Sequence, residues 1–401
     1  MLGTLNLDQH VYIYGAGFAG LSLAYRLKKL GTPFTLYEKE KVGGKISTKL
    51  TEYGPVESAA STLYMNAKAE NFIQELGLPY LDAQKKLKRW IYKEDGMISP
   101  FSLALLTKLF FKMGKHFPSV TESSSVEDIF LPLLGRKYVE ELLSPALQGI
   151  YGAQAQELHF LSLFPFAQER KFSSYYSFIK FFKSEIKKEA AQKIKGSISF
   201  KGGMQTLINR LHEEVKDHIQ PLPDNFILKP NTAICTNASD AAQLLEAFEP
   251  EIARLLNNIE YRPMTTMSFF MEEEIPELNK SFGMLIPQKY GGPILGIIHQ
   301  SEVFPSNYSA HCYSVVCKGI VTEEAIFKEL KQKFPHLEIS NILEHSLKAW
   351  ETGLPLYNEK RFKAINQIKH VLEEKPGIVL FGNYTDGISL RSMIEKTSSL
   401  K

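Results

Sequence analysis

Three glycines and one acid near the start of the chain carry the first chemical signal. Gly15, Gly17 and Gly20 stand in a G-x-G-x-x-G spacing, Ala16 lies between the first two, and Glu38 follows about 20 residues on. In a dinucleotide site each has a separate task. A glycine at 15 permits a sharp turn, one at 17 lets a pyrophosphate approach backbone amides, and one at 20 lets a helix pack closely on a sheet. The Glu38 carboxylate is placed to accept hydrogen bonds from an adenosine ribose, and its charge argues against a 2'-phosphate there. Lys39 beside it either flanks that ribose or is a solvated surface residue.

For these residues to meet one ligand, a strand, a turn, a helix and a second strand must set them out. VYIYGAGFAGLSLAYRLKKLGTPFTLYEKE supplies that order. Val11 to Tyr14 is extended, Leu21 to Leu30 carries apolar residues at helical intervals, Gly31 ends the helix, and Phe34 to Tyr37 is extended again. The helix N-terminus faces the phosphates with its partial positive charge.

A basic loop, Lys41 to Lys45, comes next with Gly43 and Gly44 adjacent. Consecutive amides at such a pair form an anion-binding concavity, and Lys45 adds charge where the ribitol and phosphates of a longer cofactor would pass. Gly54 and Pro55 then lead into Ser58, Ala59, Ala60 and Ser61. This small-residue run either leaves room for a flat ring against backbone or is an ordinary loop entering a helix.

Composition sets the limits. A chain of 401 residues, 44% hydrophobic and 23% charged, is long enough for two or more domains. The net charge of +3, with lysines and glutamates interspersed, gives no concentrated basic surface, so no nucleic acid partner is expected. Cys235, Cys312 and Cys317 form neither a disulfide framework nor a spaced zinc set, and none of the ten histidines stands in a motif such as H-E-x-x-H, so no metal is expected. The first residues lack the basic flank and apolar run of a signal peptide, and no apolar stretch reaches the roughly 18 to 20 residues that cross a bilayer. A cytoplasmic protein is the expectation, and its oligomeric state is not readable from the sequence.

Several further segments resemble the flavin-containing amine oxidase superfamily, and within it the protoporphyrinogen oxidase family with its coproporphyrinogen-oxidising relatives. VGGKISTK (Val42 to Lys49) resembles the double-glycine FAD loop. SPALQGIYGAQAQELHFLSLFP (Ser144 to Pro165) resembles the segment that frames the porphyrin chamber, and FKGGMQTLINRL (Phe200 to Leu211) the glycine pair and helix that return to the cofactor domain. FGMLIPQKYGGPILGIIHQSEVFP (Phe282 to Pro305) is similar to paired strands of the substrate domain, and LFGNYTDGISL (Leu380 to Leu390) to the closing strand and helix at the flavin. By its own pattern the last segment is a strand, a turn at Gly382 and Asn383, and a helix after Gly387 beginning near Ile388 and Ser389. Its amides would face the pyrimidine end of a flavin, and Asn383 either bonds the ring or caps the turn.

The resemblance implies an α/β and α+β chain. A Rossmann-like FAD-binding domain is assembled from residues 1–88, 196–255 and 345–401. Residues 89–195 form a mostly helical substrate region and residues 256–344 a sheet-rich substrate domain. It also implies FAD as cofactor, oxygen as electron acceptor and a porphyrinogen as substrate, in porphyrin and heme biosynthesis. Trp350, by itself a core or surface anchor, takes by resemblance a place against the cofactor. Arg89, by itself a surface arginine, becomes the candidate clamp for a propionate. No histidine is assigned as a base; His159 and His299 read as chamber or sheet residues.

Other outcomes stay open. Another hydrophobic substrate would suit the same superfamily. A noncatalytic tetrapyrrole-binding protein would suit the short segment after His218, where Phe226 to Leu228 and Thr232 to Cys235 read as remnants of a longer strand meander. The lysine-aromatic segments Phe101 to Phe117 and Lys171 to Lys188 either lie on an anionic membrane surface or cover the chamber.

Overall fold

The computed structural model describes residues 1–99, 113–190, 196–385 and 387–400. Its first sheet has five parallel strands in the order Ile219–Pro221, Phe34–Glu38, Val11–Tyr14, Thr232–Ile234 and Ile378–Leu380. These strands are short and apolar because both faces are covered. Val11, Ile13, Leu36, Ala233 and Val379 enter one core with the helices Phe18–Leu30 and Gln205–Val215. Tyr14, Ile234 and Leu380 enter the other, under Ala238–Leu245, Pro250–Leu256 and Glu359–Glu373. The first helix stops at Gly31, whose φ of 74° places it in the left-handed region that an L side chain disfavours.

The second sheet has seven strands, ordered Ile342–Pro355, Tyr261–Met271, His311–Lys318, Ile294–His299, Ser281–Leu285, Lys88–Lys93 and Gly96–Ile98. All pairs are antiparallel except Ser281–Leu285 with Lys88–Lys93, which is parallel. Two domain boundaries move as a result. The expected break at 344/345 falls inside the continuous strand Ile342–Pro355, whose residues pair with Tyr261–Met271 and therefore belong to this sheet. The break at 88/89 likewise falls at the start of Lys88–Lys93.

After Ile219–Pro221, which forms one edge of the parallel sheet, the chain crosses to Thr232–Ile234 without a further strand. Thr232–Ile234 pairs between Val11–Tyr14 and Ile378–Leu380, as a strand reading of that segment requires. Phe226 to Leu228 forms no strand; Phe226 instead sets its ring edge-on against Tyr14 at 4.9 Å.

A helical layer includes Val126–Leu134, Ser144–Tyr151 and Tyr175–Ala190, and the second of these packs on the seven-stranded sheet. Ser125 begins the first of these with a reciprocal cap, its hydroxyl and the Asp128 carboxylate each accepting the other's backbone N–H. Of the two lysine-aromatic segments, Phe101 to Lys112 lies outside the described residues. In the other, the aromatic side chains turn inward: Phe178 stacks on Phe117 at 4.8 Å, and Phe181 and Phe182 pack against Phe166. The rings of Phe178, Phe181 and Phe182 are thus used within the protein, with Tyr176 left 53% exposed. Among the described residues no helix is long and apolar enough to cross a membrane.

Phe178 is 2% exposed at the centre of this aromatic cluster. Phe178→Ala is therefore expected to destabilise the chain by about 3–5 kcal/mol in urea unfolding, whereas Tyr176→Ala should stay within about 0.5 kcal/mol of the parent. Equal effects of the two would contradict the inward orientation.

Candidate functional site

The glycine loop is built around one tight contact. A Cβ on Gly20 would lie 1.9 Å from the Gly15 carbonyl oxygen, so only glycine lets the helix Phe18–Leu30 approach the turn. Gly15 itself has φ 99°, and its amide donates to the Tyr37 carbonyl at 2.8 Å. Gly17 differs. Its φ of −69° suits any residue, and a Cβ there would meet nothing within 4 Å. The protein leaves open space above Gly17, at a helix N-terminus with no side-chain cap and no acid in its first turn. A pyrophosphate suits such a cradle. Glu38 closes the turn: one carboxylate oxygen accepts from Ala16 N at 2.6 Å and the other from Glu40 N at 2.9 Å. Each oxygen keeps a lone pair for ribose hydroxyls. Lys39 is exposed.

The second glycine pair lies alongside the first loop. Gly43 N donates to Ala16 O at 2.8 Å, and a Cβ on Gly44 would be 3.3 Å from Gly17 Cα. From there Lys45 runs inward. Its ammonium donates to the carbonyls of Thr352 and, at 3.1 Å, Gly353, and burial lowers its pKa to about 8. Trp350 Nε1 donates to Ser58 O at 2.8 Å. The structure therefore brings the glycine loops, the small-residue run and Trp350 into one neighbourhood. Gly54 and Pro55 face elsewhere. A Cβ on Gly54 would be 2.7 Å from the Asn307 carbonyl, and Pro55 is buried in the hairpin with Thr48–Leu50, so both are packing positions within the protein.

The closing turn is held from an element that looks merely charged in sequence. Arg361, buried on the helix Glu359–Glu373, donates to the carbonyls of Tyr384 and Thr385 at 2.8 and 2.7 Å, and lies 3.7 Å from the centre of the Tyr357 ring. The Tyr357 hydroxyl donates to Asn383 O at 2.6 Å. Gly382 N meets the Thr385 hydroxyl at 3.3 Å, and Gly387 has φ 144° with Ser392 Oγ 2.7 Å from where a Cβ would stand. The last helix begins at Leu390 rather than near Ile388, because Ser389 is its N-cap and accepts from Ser392 N. Ile388 instead packs with Leu147, Tyr151 and Tyr357, where the turn meets the helical layer.

That layer supplies groups the sequence did not mark. Gln148, on Ser144–Tyr151, is 2% exposed and neither carboxamide atom has a partner. Its neighbour Gly149 lies against the seven-stranded sheet, where a Cβ would be 3.2 Å from Leu285. Arg89 lies in the same sheet, opposite Gly283, but is exposed, with its guanidinium 4.8 Å from the Phe282 ring centre. His159 is satisfied by Glu122 O at 2.9 Å and Ser162 Oγ at 3.3 Å, and all three cysteines are buried, which pushes their thiols up. Glu57 is another buried group. It accepts from Met204 N at 2.8 Å and Thr48 Oγ1 at 2.7 Å, locking the hairpin to the turn at Gly203, and burial raises its carboxyl to about 7.

Residues 13–76 match the NAD(P)-binding Rossmann-like domain family. Protoporphyrinogen oxidase 2, chloroplastic/mitochondrial, of Arabidopsis thaliana is 25% identical over 96% of this chain and 92% of that protein. A coproporphyrinogen III oxidase of Staphylococcus aureus is 29% identical over 53% of this chain and 52% of that protein. In three dimensions, cyclohexylamine oxidase from Brevibacterium oxydans is similar over 98% of both chains, with a TM-score of 0.68 at 13% identity. The chain is protoporphyrinogen and coproporphyrinogen oxidase-like, with a Rossmann-like nucleotide-binding region, a mixed sheet and a helical middle region in the arrangement of the flavin amine oxidases.

Two outcomes follow from this geometry. Gly17→Val should fold with a thermal midpoint close to the parent and lose its bound dinucleotide, read from absorbance after gel filtration, whereas Gly20→Ala should lose the fold itself. A folded Gly17→Val chain that keeps full cofactor occupancy would refute the cradle. For Glu57, a carboxyl raised from 4.5 to about 7 holds a proton that the unfolded chain has lost between those values. Its stabilising contribution is complete below pH ~4.5 and falls by about 3 kcal/mol as pH rises through 7. Urea midpoints at acid and alkaline pH should show this slope in the parent and a flatter one in Glu57→Gln.

Proposed function

We propose that the chain is an FAD-dependent, oxygen-using oxidase of a porphyrinogen, protoporphyrinogen IX or coproporphyrinogen III. The observation that carries this reading is the open cradle at Gly17, set between two glycine loops in a chain similar to a protoporphyrinogen oxidase from end to end. Bound FAD would supply the redox chemistry, with N5 as the hydride acceptor for a bridge carbon of the macrocycle and oxygen as the final electron acceptor.

The residues of the chain bind and orient. Amides at the start of the helix Phe18–Leu30 and at Gly43 and Gly44 hold the pyrophosphate, and Glu38 takes the ribose hydroxyls. Lys45, Trp350 and the closing residues Gly382, Asn383, Gly387, Ile388 and Ser389 border the ring end. Gln148 offers its carbonyl oxygen to a pyrrole N–H, a role that suits a buried carboxamide without a partner inside the protein. Arg89, on the exposed rim of the sheet, pairs with a propionate in solvent. Pyrrole protons leave to water, so the reaction needs no dedicated base.

The test is anaerobic mixing of the FAD-loaded chain with each porphyrinogen. Flavin absorbance should bleach and return on admitting oxygen. Full FAD occupancy without bleaching by either compound would reject the porphyrinogen oxidase and leave an oxidase of another hydrophobic substrate, whereas a chain that takes up no FAD would favour a tetrapyrrole-binding protein, the reading that suits the strandless segment from Leu222 to Asn231. Gln148→Leu should keep the flavin spectrum and raise KM roughly tenfold, a loss of about 1–1.5 kcal/mol. Arg89→Ala should cost less, about 0.2–1 kcal/mol, because its ion pair is exposed and screened.

A further inference from the structure

The outer face of the seven-stranded sheet carries a second group of polar side chains that the redox chemistry does not use. His299 ends the strand Ile294–His299 and pairs with Tyr313, its ring stacked on Tyr313 at 4.4 Å. His311 stands two residues before Tyr313 and so points to the same face. Opposite His311 is Met271, the last residue of Tyr261–Met271. The chain then folds back over this face, where Ile275 N donates to the Tyr313 hydroxyl at 2.8 Å. That return brings Glu274 over the two imidazoles. One donor atom from each of Glu274, His299 and His311 lies within 4.8 Å of the others.

Two of these groups are left unpaired in a way that packing does not explain. His299 is fully buried, and its Nδ1 lies 3.1 Å from the Leu278 carbonyl. A carbonyl only accepts, so Nδ1 carries the proton and Nε2 keeps a lone pair, which has no partner. Glu274 Oε1 is also buried without a hydrogen bond and sits 3.9 Å from His299 Nδ1, too far for one. A neutral imidazole oriented by a main-chain carbonyl is how proteins present histidine to a metal ion. The other charges acting on Glu274 are Glu302, of like sign, and Lys280, of opposite sign.

We infer that Glu274, His299 and His311 form a binding site for a borderline divalent cation of the zinc class, with solvent in the remaining position. Two imidazoles and one carboxylate suit zinc, cobalt or nickel, whereas calcium and magnesium require more oxygen donors. A tetrahedral ion with ligands about 2.0–2.2 Å away sets its donors roughly 3.3 Å apart, so the three side chains draw inward on binding. The ion would tie the return segment to the ends of two strands. Residues 274, 299 and 311 share no local spacing, which is why no motif in the sequence marks them.

The test uses the full chain with its cofactor as purified, stripped with a chelator and titrated with zinc in competition with a chromophoric chelator. One ion per chain is expected, not displaced by excess magnesium or calcium. His311→Ala and Glu274→Gln, both at partly exposed positions, should weaken it by at least the roughly 10- to 100-fold that loss of an outer-shell partner costs. Circular dichroism checks that each variant folds. The unmodified chain loaded with copper(II) gives a readout free of variants, since imidazole nitrogens should split its electron paramagnetic resonance signal. Failure of the parent chain to retain zinc, equal retention by folded variants, or a copper signal without nitrogen splitting would overturn the site.

Discussion

The first helix lies so close to the first turn that a methyl group at position 20 would stand 1.9 Å from the Gly15 carbonyl, and this contact fixes the height of the helix N-terminus above the strand ends. Around it, the single peptide environment of Ala16 is used twice. Its N–H is taken by Glu38 from the second strand, and its carbonyl by Gly43 from the basic loop. Moving the helix outward would therefore displace the turn, the acid and the second glycine pair together. The open space at Gly17 is what remains once these backbone contacts are made.

The same sheet gathers strands from residues 11–14, 34–38, 219–221, 232–234 and 378–380. Parallel pairing requires long connections, and this chain uses them to carry the second sheet and the helical layer. The seven-stranded sheet and the helices between residues 126 and 190 are excursions from the nucleotide domain. Lys45 then joins the two sheets by donating to carbonyls of the long strand Ile342–Pro355, while Arg361 holds the closing turn from within the nucleotide domain. Such links explain why side chains far apart in sequence border one site.

What was legible in the sequence had a local cause. Glycine spacing, a strand-ending acid and helix caps impose requirements within a few residues, so the loop at Gly15 to Gly20 and the place of Glu38 are readable directly. The strand Ile342–Pro355 is not. Its mostly half-buried residues lack a clean alternation, which hid its membership in the second sheet and misplaced a domain boundary. Gly54 looked like cofactor space because a small residue fits a ligand or a neighbour equally well; here Tyr308 and Asn307 are the neighbours. Arg361, Gln148 and Glu57 were invisible because burial depends on what packs over a residue from elsewhere in the chain. Aromatic residues alternating with lysines from Lys171 to Lys188 describe an amphipathic helix, yet not whether lipid or protein meets its apolar face.

A five-stranded sheet has two edges, and this one leaves neither available as a template for another chain. On one side, Leu2 exchanges backbone hydrogen bonds of 2.9 Å in both directions with Leu380, so the start of the chain caps the strand Ile378–Leu380. On the other, the short strand Ile219–Pro221 ends in a residue with no N–H to donate, and Pro223 follows two residues later. Prolines at that border prevent a neighbouring molecule from continuing the ladder. The abbreviated crossing between Pro221 and Thr232 thus carries its own guard against edge-to-edge aggregation, where a longer meander would have covered the sheet with additional strands.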